Sequence, residues 1–212
     1  MVKVRATNII ILINITIFFF WNVSDFQSLE DNWMFQNFLV SWEGLTQGRV
    51  WILLTSVFSH NAFFHLFLNM YVLFNFGTIL ERVLGTKKFI KFYLTAGIIS
   101  SLAHTLVSAF LLDKPGLPAL GASGAISGLI LVFSLLYPRQ ILLLFGLIPI
   151  RALFGALIFV GLDLWGLLMQ AEGGGLPIGH GAHLGGAIYG IYYYFNYLKP
   201  QRHYFLNTHL NP

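Results

Sequence analysis

Gly121-Ala122-Ser123-Gly124-Ala125-Ile126-Ser127-Gly128-Leu129-Ile130-Leu131-Val132-Phe133-Ser134-Leu135-Leu136-Tyr137 carries no charge and is stopped by Pro138-Arg139. At about 17 residues it barely crosses hydrocarbon, since a helical span needs about 20. The chain around it decides that this is a membrane segment. Of its 212 residues 57% are hydrophobic and 9% charged, against roughly 25% charged in a soluble domain. Six spans would use about 120 residues and leave only short connections.

Downstream, Ala152 to Met169 follows as a span after the connector Ile141 to Ile150, whose Gly146 and Pro149 predict an extended or interfacial stretch. Gly179 to Leu198 is the last. Upstream, Asp113-Lys114-Pro115-Gly116-Leu117-Pro118 is a loop, Phe89 to Leu112 a span, and Gly85, Lys87 and Lys88 a turn. Phe63 to Leu80 ends at Glu81-Arg82. Asn8 to Val23 resembles a signal peptide behind Lys3 and Arg5, but it lacks a small-residue cleavage site and reads as an uncleaved first span. The expected architecture is all-α: one polytopic membrane domain over 1–212, with spans at about 8–23, 63–80, 89–112, 121–137, 152–169 and 179–198. An outer loop covers 25–58, its Trp33, Phe35, Phe38 and Trp42 suited to the headgroup layer, and a cytoplasmic tail covers 199–212.

Charge supports this layout and excludes other functions. The absence of cysteine removes disulfides, thiol nucleophiles, cysteine-ligated zinc and iron-sulfur clusters. The net charge of +4 comes from scattered residues, not from the basic stripes of nucleic-acid binders. With the N-terminus inside, Lys3, Arg5, Arg82, Lys87, Lys88, Lys91, Arg139, Arg151, Lys199 and Arg202 are inner and only Arg49 and Lys114 outer. Asp25, Glu30, Asp31, Glu43, Asp113 and Glu172 fall outside. The positive-inside rule then puts both termini in the cytoplasm. Without an Arg/Ser-rich transit-like extension or added soluble domains, the expected location is a bacterial plasma membrane.

Polar residues inside spans are costly and mark function by default. His65 and Asn69, four apart, share one helix face and offer hydrogen-bond donors to the bundle interior; alone, the pair reads equally as polar glue between helices. Ser123 opens the short helix, where free N–H groups and the positive end of the helix dipole favour a developing anion. Taken alone, Gly124 and Gly128 make a packing motif of that helix. Ala182, Gly186 and Gly190, spaced by four, form a smooth strip flanked by His183. If that strip meets Gly124 and Gly128, His183 comes within proton-transfer reach of Ser123. His180 and His183 could chelate, but no carboxylate accompanies them, so no metal or other cofactor is expected. Asp163 reads as a hydrogen bond to a neighbouring helix involving His104. A small-solute transporter would need a midplane site between repeats, whereas this polar cluster sits near one surface.

Together these clusters resemble the rhomboid family of intramembrane serine proteases over nearly the whole chain. The likeness rests on His60, His65 and Asn69, on Glu81-Arg82 with Gly85, on Gly121-Ala122-Ser123-Gly124, and on Ala182-His183 with Gly186. It implies a six-helix bundle whose short fourth helix carries the nucleophile. It further implies a serine endopeptidase with Ser123 as nucleophile, His183 as general base, and His65, Asn69 and Ser123 at the oxyanion hole. His60, Gly121 and Gly124 belong to the same expected site, and Gly128, Gly186 and Gly190 to its helix packing. Substrates would be membrane proteins with a transmembrane segment, cleaved near the outer face; a non-proteolytic relative would bind such segments instead. Two departures stand out. Where the family often has Trp-Arg, Trp51 precedes Ile52 and the nearest arginine is Arg49. Where some members stack an aromatic on the histidine, this chain has Ser127, which predicts a less firmly held His183.

Overall fold

A computed structural model describes residues 5–23, 33–144 and 147–201. Lys3, Asp25, Glu30, Asp31, Gly146, Arg202 and most of the tail expected over 199–212 lie outside the described residues. In chain order the helices are α1 (Ala6–Val23), α2 (Trp33–Phe38), α3 (Trp42–Thr46), α4 (Ile52–Thr55), α5 (Phe63–Leu84), α6 (Thr86–Leu111), α7 (Ser123–Leu136), α8 (Ala152–Ala171) and α9 (His180–Tyr193). The antiparallel hairpin β1 (Ile141–Leu144) and β2 (Ile148–Arg151) joins α7 to α8.

Among the described residues, α1, α5, α6 and α8 are long and apolar enough to cross a membrane. Hydrocarbon offers backbone groups no partner, so an apolar run closes its own hydrogen bonds as a helix. Polar residues in these runs follow the same rule: Asn14, Thr16 and Asn22 of α1 donate to carbonyls four residues back at 2.8, 2.9 and 2.7 Å. On α5, Phe63, Phe67 and Tyr71 stack outward at one-turn spacing, a surface suited to acyl chains. α7, only 14 residues long, is nearly enclosed, with Leu129, Val132, Ser127 and Ser134 fully buried. α9 makes its most extensive contact with α7 and the next with α6. Beneath them Phe89, Phe92 and Tyr93 fill the core, and Phe76 meets Phe133 edge-on at 4.9 Å.

Several expected boundaries shift for physical reasons. The second span does not stop at Leu80, because the Glu81 carboxylate is satisfied inside the fold. It accepts from Ala6 N (2.8 Å), Thr7 N (2.9 Å), Thr7 Oγ1 (2.7 Å) and Thr86 Oγ1 (2.9 Å), capping α1 and closing the α5–α6 corner. That corner is Gly85 alone, at φ +77°, so Lys87 and Lys88 lie within α6 and not in a turn. α5 and α6 each contain a π-helical turn, Leu73–Gly77 and Val107–Leu111, and α9 continues into another, Tyr194–Leu198.

The described part of the outer loop is a series of short helices pinned by side chains. Arg49 donates to Gln36 O (3.2 Å) and to Gln47 Oε1 (2.7 Å), Trp51 Nε1 to Asn37 Oδ1 (2.9 Å), and Thr55 Oγ1 to Asn37 O. Arg49 and Trp51 thus tie α2 to α4 without a Trp-Arg pair. A two-way backbone bridge between Val40 and Ala119 (2.8 and 2.9 Å) fastens this loop to the segment preceding α7.

Candidate active site

The segment before Ser123 is held on several sides. His104 Nε2 lies 3.1 Å from Leu117 O, and Gly121 N donates to Ser56 O at 2.9 Å. Gly121 has φ +123°, a backbone that L side chains rarely adopt, and an added Cβ would lie 2.8 Å from His65 Cε1. The chain can therefore turn sharply into α7 directly against the His65 ring, leaving Ser123 as the first residue of the helix.

Backbone contact brings α9 to the same place. A Cβ on Gly186 would sit 1.8 Å from Gly124 O, and one on Gly190 2.6 Å from Gly128 O. At the top of the strip, Ser100 Oγ of α6 donates to Ala182 O. With the helices that close, His183 Nε2 stands 2.8 Å from Ser123 Oγ. His65, Asn69, Gly121, Ser123, Gly124 and His183 line one cavity of about 820 Å³. The α8–α9 connection also lines it, strapped by Gln170 Nε2 to Leu176 O (2.7 Å) and Ile178 O (2.8 Å).

His60 and Ser127 stand one layer back from the cavity wall. His60 is fully buried, with its ring edge-on to His65 at 4.8 Å and both ring nitrogens unpartnered among the described residues. Burial pushes its pKa down to about 3, with His65 adding to the shift, so it is a neutral imidazole. Asn69 Nδ2 donates to His65 O at 2.9 Å, which leaves its second amide proton for another acceptor. Ser127 Oγ donates to Ser123 O at 2.8 Å and serves its own helix.

Asp163 departs from the sequence reading. Its partner is not His104: Asp163 Oδ1 lies 2.7 Å from His180 Nδ1 and 2.9 Å from His183 Nδ1. Phe159, one turn earlier on α8, lies against the His183 ring at 5.7 Å between centroids. His183 is thus held although Ser127 supplies no aromatic. The two histidines do have a carboxylate, and the three side chains offer ligand atoms within 4.8 Å of one another. Their two O···N separations are hydrogen bonds, tighter than the roughly 3.3 Å that ligands keep around a tetrahedral zinc. Spacing along the chain could not reveal this cluster, because 17 and 20 residues and a glycine-rich turn separate Asp163 from the histidines. The detectable signal was a lone carboxylate in an apolar helix.

The family model for the Rhomboid domain matches residues 47–200. RHOMBOID-like protein 12, mitochondrial, of Arabidopsis thaliana is 31% identical over 84% of this chain and 54% of its own length. Rhomboid protein 1, mitochondrial, of Saccharomyces cerevisiae is 34% identical over 85% of this chain and 50% of its own. The human presenilin-associated rhomboid-like protein, mitochondrial, is 34% identical over 66% and 36%. The chain spans between about a third and about half of the length of these relatives. All three are mitochondrial by description, which overturns the expectation of a bacterial plasma membrane with cytoplasmic termini.

Proposed function

The chain belongs to the rhomboid family, and from that membership we propose that it is an intramembrane serine endopeptidase of a mitochondrial membrane, acting on transmembrane segments of other proteins. The observation that carries the reading is the 2.8 Å approach of His183 Nε2 to Ser123 Oγ inside a cavity that also holds His65 and Asn69. In this reading α1, α5, α6, α7, α8 and α9 form a six-helix bundle within a single domain. α7, at 14 residues, is roughly 21 Å long, against about 30 Å of hydrocarbon. Its C-terminal end runs into Arg139 on the basic side, so its Ser123 end lies below the opposite surface. Irregular backbone at that depth is tolerable because it borders a polar, water-accepting cavity.

The chemistry follows from the positions. His183 Nε2 takes the Ser123 proton as Oγ bonds to the scissile carbonyl carbon, whose electron pair moves onto its oxygen. That oxyanion is stabilised by the Ser123 N–H at the start of α7, by the free Asn69 amide proton and by His65. Collapse expels the amine, which takes the proton from His183, and water then releases the acyl group by the same route. A helical substrate must first unwind, since its hydrogen-bonded carbonyls are shielded, so small and helix-breaking residues near the cleaved bond are expected.

The test is incubation of the purified protein with a labelled single-span fusion and, separately, a fluorophosphonate probe. Wild type should cleave and become labelled, and Ser123→Ala should do neither while keeping its melting temperature. Cleavage by a homogeneous Ser123→Ala preparation would overturn the nucleophile, and binding of the fusion without cleavage by wild type would make the chain a binder.

A further inference from the structure

α8 is apolar on nearly every face, yet it buries one carboxylate. Asp163 is 4% exposed, and its Oδ2 has no hydrogen-bond partner among the described residues. A bare carboxylate oxygen in such surroundings is expensive, so the group is poorly explained by stability. Its other oxygen accepts from His180 Nδ1 and His183 Nδ1 together, at 2.7 and 2.9 Å. With Asp163 ionised this oxygen can only accept, which places a proton of each histidine on Nδ1. His183 then presents an unprotonated Nε2 to Ser123, the tautomer that a general base needs.

Three residues of α8 supply this arrangement from one face, at positions i, i+4 and i+7. Phe159 lies against the His183 ring, Asp163 holds both histidines, and Gly166 leaves room for His180, whose Nε2 would be 2.3 Å from an added Cβ. We propose that Asp163 is a positioning residue that fixes the tautomer and orientation of His183 and balances the imidazolium formed during the reaction, making a Ser123–His183–Asp163 triad, with His180 holding Asp163 in place. The Nδ1 proton stays on His183 throughout; only the Ser123 proton moves, to Nε2 and then to the leaving amine. The inference rests on the assignment of Ser123 and His183 as nucleophile and base.

Asp163→Asn is the direct test. The amide retains an oxygen that can accept from both histidines but has no charge, and it can also flip to favour the wrong tautomer. In soluble serine proteases the equivalent change costs about ten-thousandfold in turnover. Here kcat and the fluorophosphonate labelling rate should fall at least about a hundredfold, with KM within about twofold and melting temperature unchanged or higher. Asp163→Glu should recover at least about tenfold over Asn. Ring 15N spectra should show His183 protonated on Nδ1 in wild type and a tautomer mixture in Asp163→Asn. Retention of more than about a tenth of wild-type kcat, or Asp163→Glu no faster than Asn, overturns the role. Should Asp163→Asn not fold, the wild-type spectrum decides, and an unprotonated Nδ1 refutes the proposal. A wild-type protein that neither cleaves nor labels at Ser123 refutes the dyad instead, and the spectrum still reads the Asp163 bond.

Discussion

Two contacts of α9 meet at His183, and they are built in opposite ways. Against α7 the helix touches backbone to backbone, Gly186 on Gly124 and Gly190 on Gly128, deep in the core. Against α8 it touches through side chains, namely an aromatic face, a shared carboxylate oxygen and a ring fitted over a glycine. The first contact sets how far His183 stands from Ser123. The second sets which way its ring faces and where its proton sits. Distance is thus fixed by atoms that cannot move singly, and orientation by atoms that can.

A single methyl group placed in each contact tests whether the two differ in rigidity. Gly186→Ala should have the largest effect. The added carbon meets a carbonyl oxygen at 1.8 Å, and that oxygen belongs to the backbone of α7, so the helices must part. A displacement of about 1 Å can cost a hundredfold in rate. Loss of most turnover together with a melting temperature lowered by several degrees is expected, despite the roughly 1 kcal/mol by which alanine favours a helix over glycine. Ile191→Phe, on an exposed position of the same helix, serves as the tolerated control. If both variants behaved alike, the strip would not set the distance.

Gly166→Ala should rank next. Its methyl meets the His180 ring at 2.3 to 2.4 Å, but a side chain can turn aside where a backbone cannot. Turnover should fall by about tenfold, with melting temperature held within a few degrees. A drop in stability as large as that of Gly186→Ala would mean that both contacts are equally rigid. The smallest effect belongs to Phe159→Leu, which removes an aromatic contact worth about 0.5–1.5 kcal/mol and should slow turnover by about two- to tenfold. An unchanged rate would leave Asp163 as the sole steering group on α8.

What could be read from the sequence follows the same division. The residues lining the cavity, His65, Asn69, Ser123 and His183, stand out because each sits in a local pattern: a one-turn pair, a helix opening among small residues, a glycine strip. Helix periodicity carries such patterns directly. Asp163 and Phe159 do not, since their importance comes from where the α8–α9 turn returns the chain, and no spacing encodes that path. Glu81 misled for a related reason. Two adjacent charges read as a helix end, but the partners that bury the carboxylate, Ala6 and Thr7, lie more than 70 residues away. The π-helical turns have no compositional signature, and the hairpin after α7 was visible only as an extended connector.

Of the long apolar helices, α8 is the least enclosed by the rest of the protein, and it is the one that carries Asp163. A helix so little held by its neighbours should adjust its tilt to the thickness of the surrounding lipid more readily than they do. A few degrees of tilt would carry the carboxylate away from His183 while leaving Gly186 seated on Gly124. If Ser123 and His183 act as proposed, lipids of different chain length should change how fast the site turns over, without altering how far apart the two side chains are held.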